Sequence, residues 1–303
     1  MRRLRVLEPG PLTTVQDQGR PGHAALGVAA SGALDPSALR LANRLVGNPE
    51  TAAGLELTLG GLVVQCDQPC LMAVTGAPVV VRVDAAEPRT YGSGSAVPAP
   101  RGAVVRVEPP VAGLRSWLAV RGGLDVPMLL GSASTDLLAG FGSPLAAGDA
   151  LRVGPEPSAP VPALDQAPVS VPAAGPLEVR VVLGPHDDWF AEGAVGALAT
   201  GWAVDERSNR VGLRLRGEPM TRRAEAVDRE LPSAPMVPGA VQVPPDGHPV
   251  VFLADHPVTG GYPVLACVLA DDLPLLAQAA PGQTVRFRPV SGPPLPGARA
   301  AAR

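Results

Sequence analysis

The 35 glycines and 37 prolines of this 303-residue chain, together nearly a quarter of it, cut the sequence into short apolar runs and leave little room for long amphipathic helices. The runs include Leu62–Gln65, Cys70–Val74, Val79–Val83, Ala103–Val107, Ser116–Val120, Val179–Leu183, Val211–Leu215, Val250–Leu253 and Thr284–Phe287. Several alternate apolar and polar with period two, as in Val211-Gly-Leu213-Arg-Leu215 and Val285-Arg-Phe287-Arg, which is the pattern of a strand with one buried face. The pattern predicts a mainly β chain with few short helices, built as antiparallel barrels or sandwiches.

One helix is well signalled. Asp35 is placed to cap it, Pro36 sits in its first turn, Leu39, Ala42 and Leu45 share one face, and Gly47 ends it. Shorter helical turns are expected at Asp188–Ala191, Pro127–Leu130 and Asp271–Gln278. Residues 155–176 are rich in proline and alanine and read as an extended linker. This predicts an N-terminal domain over 1–154 and a second β domain over 177–292. The Pro, Gly, Ala and Arg tail at 293–303 is expected to be disordered.

Composition narrows the chemistry. All 25 basic residues are arginine, so the chain offers no Schiff-base lysine, no Walker A lysine and no attachment point for biotin. A net charge of -3 with arginines scattered among carboxylates argues against nucleic acid as a partner. The first ten residues lack the apolar core of a signal peptide, and no uncharged stretch is long enough to span a bilayer as a helix, which points to a cytoplasmic protein without a membrane partner. Cys66, Cys70 and Cys267 show no disulfide-framework spacing, and the four histidines stand apart from them, so no metal is expected.

The specific information lies in an ordered series of motifs. Gly10-Pro-Leu-Thr-Thr-Val-Gln-Asp-Gln-Gly-Arg-Pro-Gly22 is followed by Gly27-Val-Ala-Ala-Ser-Gly-Ala-Leu-Asp35, Asn43-Arg-Leu-Val-Gly-Asn48 and Glu56-Leu-Thr58. Later come Val120-Arg-Gly-Gly-Leu124, Gly184-Pro-His-Asp-Asp188, Ser208-Asn-Arg-Val-Gly212, Gly239-Ala-Val-Gln-Val-Pro-Pro-Asp-Gly247 and Thr259-Gly-Gly-Tyr-Pro263. In this order, over roughly residues 3–290, they resemble the biotin-dependent carboxyltransferase-like family. That family includes KipA, allophanate hydrolase subunit 2, the C subunit of 5-oxoprolinase and the C-terminal half of the carboxyltransferase region of urea carboxylase.

The resemblance implies two β-barrel-type domains of cyclophilin-like character. It also implies a KipI-type partner subunit sharing the active site, and a third 5-oxoprolinase subunit. The implied reaction is ATP-dependent opening of the 5-oxoproline lactam to glutamate, with the ATP site on the partner subunit or shared with it. Two other roles are implied: carboxyl transfer to urea or a related amide with biotin on another chain, and antagonism of a KipI-type kinase inhibitor. The chain departs from the family pattern at His256 and at Val264, where relatives commonly carry a basic residue after Gly-Gly-Tyr-Pro.

Residue chemistry nominates the site. Thr14, Gln16, Asp17 and Arg20, with Thr13, form a polar cluster between glycines suited to gripping a small amide; the same residues suit a turn that docks the N-terminal segment. Arg20 and Arg44 present planar forks for a carboxylate or phosphate, or for a structural ion pair. His186 and Asp188 stand at the end of a predicted strand as acid/base candidates, against a capping role for His186. Asn209 offers donor and acceptor to an amide, or adopts a tight turn. Thr259, Gly260, Gly261 and Tyr262 combine close backbone approach with an aromatic hydroxyl, or make a tight hairpin, and Asp255 is near in sequence. On this reading His186, Asp188 and Tyr262 are catalytic, and the others bind substrate.

Overall fold

The computed structural model describes residues 2–291 apart from positions 165 and 228; the segment 293–303 lies outside the described residues. Two compact units emerge. One runs up to Pro21 and then takes in Ser31–Pro172; the other comprises Gly22–Ala30 and the chain from Ala173 onward. Residues 155–172 thus belong to the first unit, where Arg121 donates to the carbonyls of Pro157 and Ala159 and Ala167 is buried.

The first unit is made of two antiparallel sheets. Six strands run in the order Ala150–Arg152, Arg3–Pro9, Leu62–Cys66, Val104–Val107, Val80–Asp84 and Arg89–Gly92. Five more run in the order Leu12–Gln16, Gly54–Thr58, Arg115–Val120, Cys70–Gly76 and Ala96–Ala99. One buried cluster draws alternate residues from both sheets, including Leu4, Val6, Val64 and Val105 from the first and Leu57, Met72 and Leu118 from the second. All six residues of Arg115–Val120 are buried because both faces are covered. Leu118 and Val120 enter the inter-sheet core, while Ala119 joins Ala42, Leu45 and Val46 from the helix side.

That helix, Pro36–Leu45, forms as its caps predict: the Asp35 carboxylate accepts from the Ala38 N–H at 3.0 Å, and Gly47 takes φ +68° just past the end.

The second unit closes seven strands into a barrel: Leu177–Leu183, Val264–Val268, Ala240–Gln242, Val250–Phe252, Gly212–Arg216, Trp202–Val204 and Thr284–Pro289. The last strand returns to the first in parallel, Leu177 opposite Val285, and the other pairings are antiparallel. Val179, Val181, Leu213, Leu215, Val285 and Phe287 are buried in it. A separate two-stranded ladder joins Ala234–Pro235 to Thr259–Gly260.

The mainly β architecture with few short helices is as expected, with the closed barrel in the second unit and paired sheets in the first. Asp187–Trp189 and Ala270–Ala277 do hold helical turns. Pro127–Leu130 does not. Leu130 sits at φ +52°, and Leu129 and Ser132 exchange backbone hydrogen bonds, a conformation incompatible with a helix.

Candidate functional site

In the first unit, Thr14, Gln16, Asp17 and Arg20 lie at the end of the strand Leu12–Gln16 and just beyond it, all nearly inaccessible to solvent. Asp17 organises them. One carboxylate oxygen accepts from the Gly19 N–H at 2.8 Å and the Ser132 and Ser134 hydroxyls at 2.5 and 2.6 Å; the other accepts from the Ala133 N–H at 2.7 Å. Gln16 donates through Nε2 to the Thr135 carbonyl and the Thr14 hydroxyl, and Arg20 donates to the carbonyls of Leu129 and Ser134. The Gln16 Oε1 and one Arg20 terminal nitrogen are buried without a protein partner, two polar atoms that a small ligand or a water would satisfy. No motif announces the serines of 132–136. Arg44 lies outside this cluster, in an exposed ion pair with Glu50 at 3.1 Å.

The second unit brings a different set together. A cleft of about 440 Å³ is lined by Trp189, Arg222, Arg229, Glu230, Gly261 and Tyr262 among others. Tyr262 is 47% exposed along it, and its carbonyl is tied down by Gln242 Nε2 at 3.2 Å. The Arg229 guanidinium lies 4.5 Å from the centre of the Trp189 ring, a cation–π contact that holds its charge at the cleft wall. The Arg222 Nε is buried and has no hydrogen-bond partner. Neither arginine nor Trp189 stands out in the sequence, because no short motif carries them.

His186 packs edge-on against Trp189 at 5.8 Å between ring centres, and its Nδ1 accepts from the Val264 N–H at 3.1 Å. That bond leaves the proton of the neutral ring on Nε2. Burial pushes the imidazole below its ordinary value of 6.5, partly offset by Asp188, and Arg229 pushes the same way as burial. The ring is therefore neutral at pH 7. Asp188 is exposed beside it. Gly184 is required here because a Cβ on it would stand 2.3 Å from the Val264 carbonyl oxygen. Val264 itself is buried with Ala240 and Phe252, so the position after Gly-Gly-Tyr-Pro offers its backbone, not a charge, to the surroundings.

Other nominated residues are engaged elsewhere. Asp255, 1% exposed, makes a bidentate pair with Arg210 at 2.8 and 2.9 Å. Asn209 accepts through its side-chain oxygen from the Val211 and Gly212 N–H groups, closing a turn. Thr259 and Gly260 pair with Pro235 and Ala234, and a Cβ on Gly260 would come 2.6 Å from Gln242 Nε2.

A second cleft of the same unit, about 260 Å³, is lined by Asp205, Arg207, Arg214, Arg216, Asp246 and His248 among others. The Asp205 carboxylate holds Arg207 and Arg216 at 2.8 and 2.5 Å, and these arginines keep it strongly acidic. Two of the cleft's three guanidiniums are engaged this way. Among the described residues no group of three or more His, Cys, Asp or Glu is placed to hold a metal ion.

Comparison with known proteins agrees with the motif series. Residues 26–289 match the family model of the carboxyltransferase domain, subdomain A and B. The chain is 38% identical to the 5-oxoprolinase C subunit of Escherichia coli over 94% of its own length and 90% of that protein's, and 32% identical to the protein of the same name from Haemophilus influenzae, over 95% and 91%. It is also 33% identical to urea amidolyase of Lachancea kluyveri, covering 17% of that much longer chain. Among solved structures, TTHA0988 superposes with a TM-score of 0.82 at 38% identity over 95% of this chain, and K. lactis urea amidolyase with 0.85 at 31% over 95%. This chain spans only 56% of TTHA0988 and 19% of the urea amidolyase structure. By sequence and by fold, the chain belongs to the carboxyltransferase-domain family, subdomains A and B.

Proposed function

We propose that this chain is one subunit of a 5-oxoprolinase-type assembly, working with a KipI-type subunit and a third subunit to open 5-oxoproline to glutamate at the expense of ATP. The observation that carries the reading is the cleft of the second unit. Its Arg222 and Arg229 suit a carboxylate, and Trp189 and Tyr262 give aromatic walls to a small ring. The relatives named as the C subunit of 5-oxoprolinase support it over nearly their whole length.

In this reading Arg222 donates to the substrate carboxylate, and Tyr262 flanks the lactam with its ring and hydroxyl. His186, neutral with its proton on Nε2, donates a hydrogen bond from that nitrogen to polarise the lactam, with Asp188 beside it as the acid/base group, and the departing amide nitrogen takes its proton from solvent water. Asp255 and Asn209 act through position: they hold the Arg210 guanidinium and the turn that follows. The first-unit cluster of Thr14, Gln16, Asp17 and Arg20 keeps a direct ligand role through its two unpaired polar atoms. Gly261 lines the cleft itself, and Arg44, Thr259 and Gly260 contribute through the surface and hairpin that carry them.

ATP supplies the driving force for an uphill ring opening. This chain has no lysine for its phosphates, which favours a nucleotide site on another subunit or shared with one. For want of the same lysine, any biotin would be carried by another chain.

A second reading is carboxyl transfer to urea or a related amide, which the relatives named urea amidolyase favour. Val264, buried where a basic group would stand, weighs against it. The test is glutamate release from 5-oxoproline by the reconstituted subunits with and without ATP. Turnover that needs ATP, and whose KM for 5-oxoproline rises at least about tenfold in R222Q, supports the proposal. A stable complex that turns over urea with a biotin carrier, and not 5-oxoproline, would replace it.

A further inference from the structure

Five large apolar side chains within eleven residues of the first unit face solvent: Met128 at 66%, Leu129 at 47%, Leu130 at 37%, Leu137 at 46% and Leu138 at 55% exposure. Single exposed leucines are ordinary, but a cluster of this density marks a contact surface. The segment is also held rigidly. Leu129 and Ser132 exchange backbone hydrogen bonds, as do Asp136 and Phe141, and the Thr135 N–H donates to the Val15 carbonyl. The Asp136 carboxylate caps the N–H groups of Leu138 and Ala139 at 3.0 Å each.

From beneath, Asp17 accepts from Ser132, Ala133 and Ser134, while Arg20 braces the Leu129 and Ser134 carbonyls and lies 5.3 Å from the Phe141 ring centre. The conspicuous motif Thr13–Arg20 is thus a buried polar armature whose outer product is a fixed apolar knuckle. A surface ordered before contact loses little conformational entropy on binding.

The geometry points to Met128–Leu138 as the docking surface for a separate subunit corresponding to the part of TTHA0988 that this chain does not match. This rests on the subunit reading above. The same region occurs inside a chain of which it makes up 56%, and as most of a protein that bears the name of a subunit. A covering part encoded as a separate chain would leave such a surface apolar and exposed on this one.

The experiment measures binding of the full chain to the co-encoded subunit that aligns with the rest of TTHA0988, by isothermal titration calorimetry. The double variant L137E/L138E is compared with V111E, which changes an apolar residue 83% exposed elsewhere on the same unit. Circular dichroism and melting temperature confirm that each variant folds. L137E/L138E is expected to weaken binding at least about 100-fold, with V111E unchanged. Unchanged affinity in L137E/L138E overturns the surface while leaving the assembly intact. If the wild-type chain does not bind that subunit, the subunit reading falls and the surface with it. If the chain alone is a dimer that L137E/L138E dissociates, the occupant is a second copy and the proposal is wrong.

Discussion

Replacing Asp255 with asparagine leaves the Arg210 guanidinium at 4% side-chain exposure without the carboxylate that now meets it at 2.8 and 2.9 Å. Removing one member of a buried, hydrogen-bonded ion pair costs about 3–5 kcal/mol, because the remaining buried charge loses the carboxylate that meets it. The described part of the unit that holds the pair has roughly 130 residues. At about 2.1 cal/mol/K of unfolding entropy per residue, the penalty lowers that unit's melting temperature by roughly 11–18 °C. Differential scanning calorimetry of D255N reads this shift directly. The double variant D255A/R210M removes both charges and should recover much of the loss, since apolar replacements of both partners are close to neutral. A shift below about 3 °C in D255N, together with loss of substrate binding, would refute the reasoning and return Asp255 to the substrate.

Four further outcomes follow from the second unit. Because burial holds His186 below its ordinary value of 6.5, the unfolded chain takes up a proton that the folded ring resists. Stability should therefore fall as pH drops below about 6.5, and urea melts of H186Q should lose that component. G184A places a Cβ against the Val264 carbonyl oxygen, so it should cost about 1–3 kcal/mol by denaturant unfolding, as overpacking does elsewhere. R222Q should raise KM for 5-oxoproline at least about tenfold with little change in kcat, the signature of a contact made equally in ground and transition states; Y262F, which keeps the ring, should fold and bind while turning over more slowly.

Local signals are legible in the sequence, and non-local ones are not. The strands at Val211–Leu215 and Thr284–Phe287 show in their alternation, and the helix at Pro36–Leu45 shows in Asp35 and Gly47, because those patterns are set by neighbours within a few residues. Asp17 finds Ser132 and Ser134 across 115 and 117 positions, and no spacing rule reaches that far. The serines around Ala133 look like any polar loop until the carboxylate they serve is in place. Pro127–Leu130 looks helical through its apolar content, yet Leu130 takes a left-handed turn and its neighbours face solvent.

The site shows the same division. Tyr262 and Gly261 are visible in the Gly-Gly-Tyr-Pro motif, and they do line a cleft. Its cationic wall, Arg222 and Arg229, emerges only from the fold, since arginine is the chain's sole basic side chain and none stands out by type. Asp255 lies four residues before Thr259 in sequence but pairs with Arg210 instead of sharing that cleft.

The most direct test of the account is ATP-dependent glutamate release from 5-oxoproline, measured for this chain alone and then with the KipI-type and third subunits added. The account predicts no turnover by the chain alone and ATP-dependent turnover in the full mixture. A full mixture that forms a stable complex and releases no glutamate would contradict it.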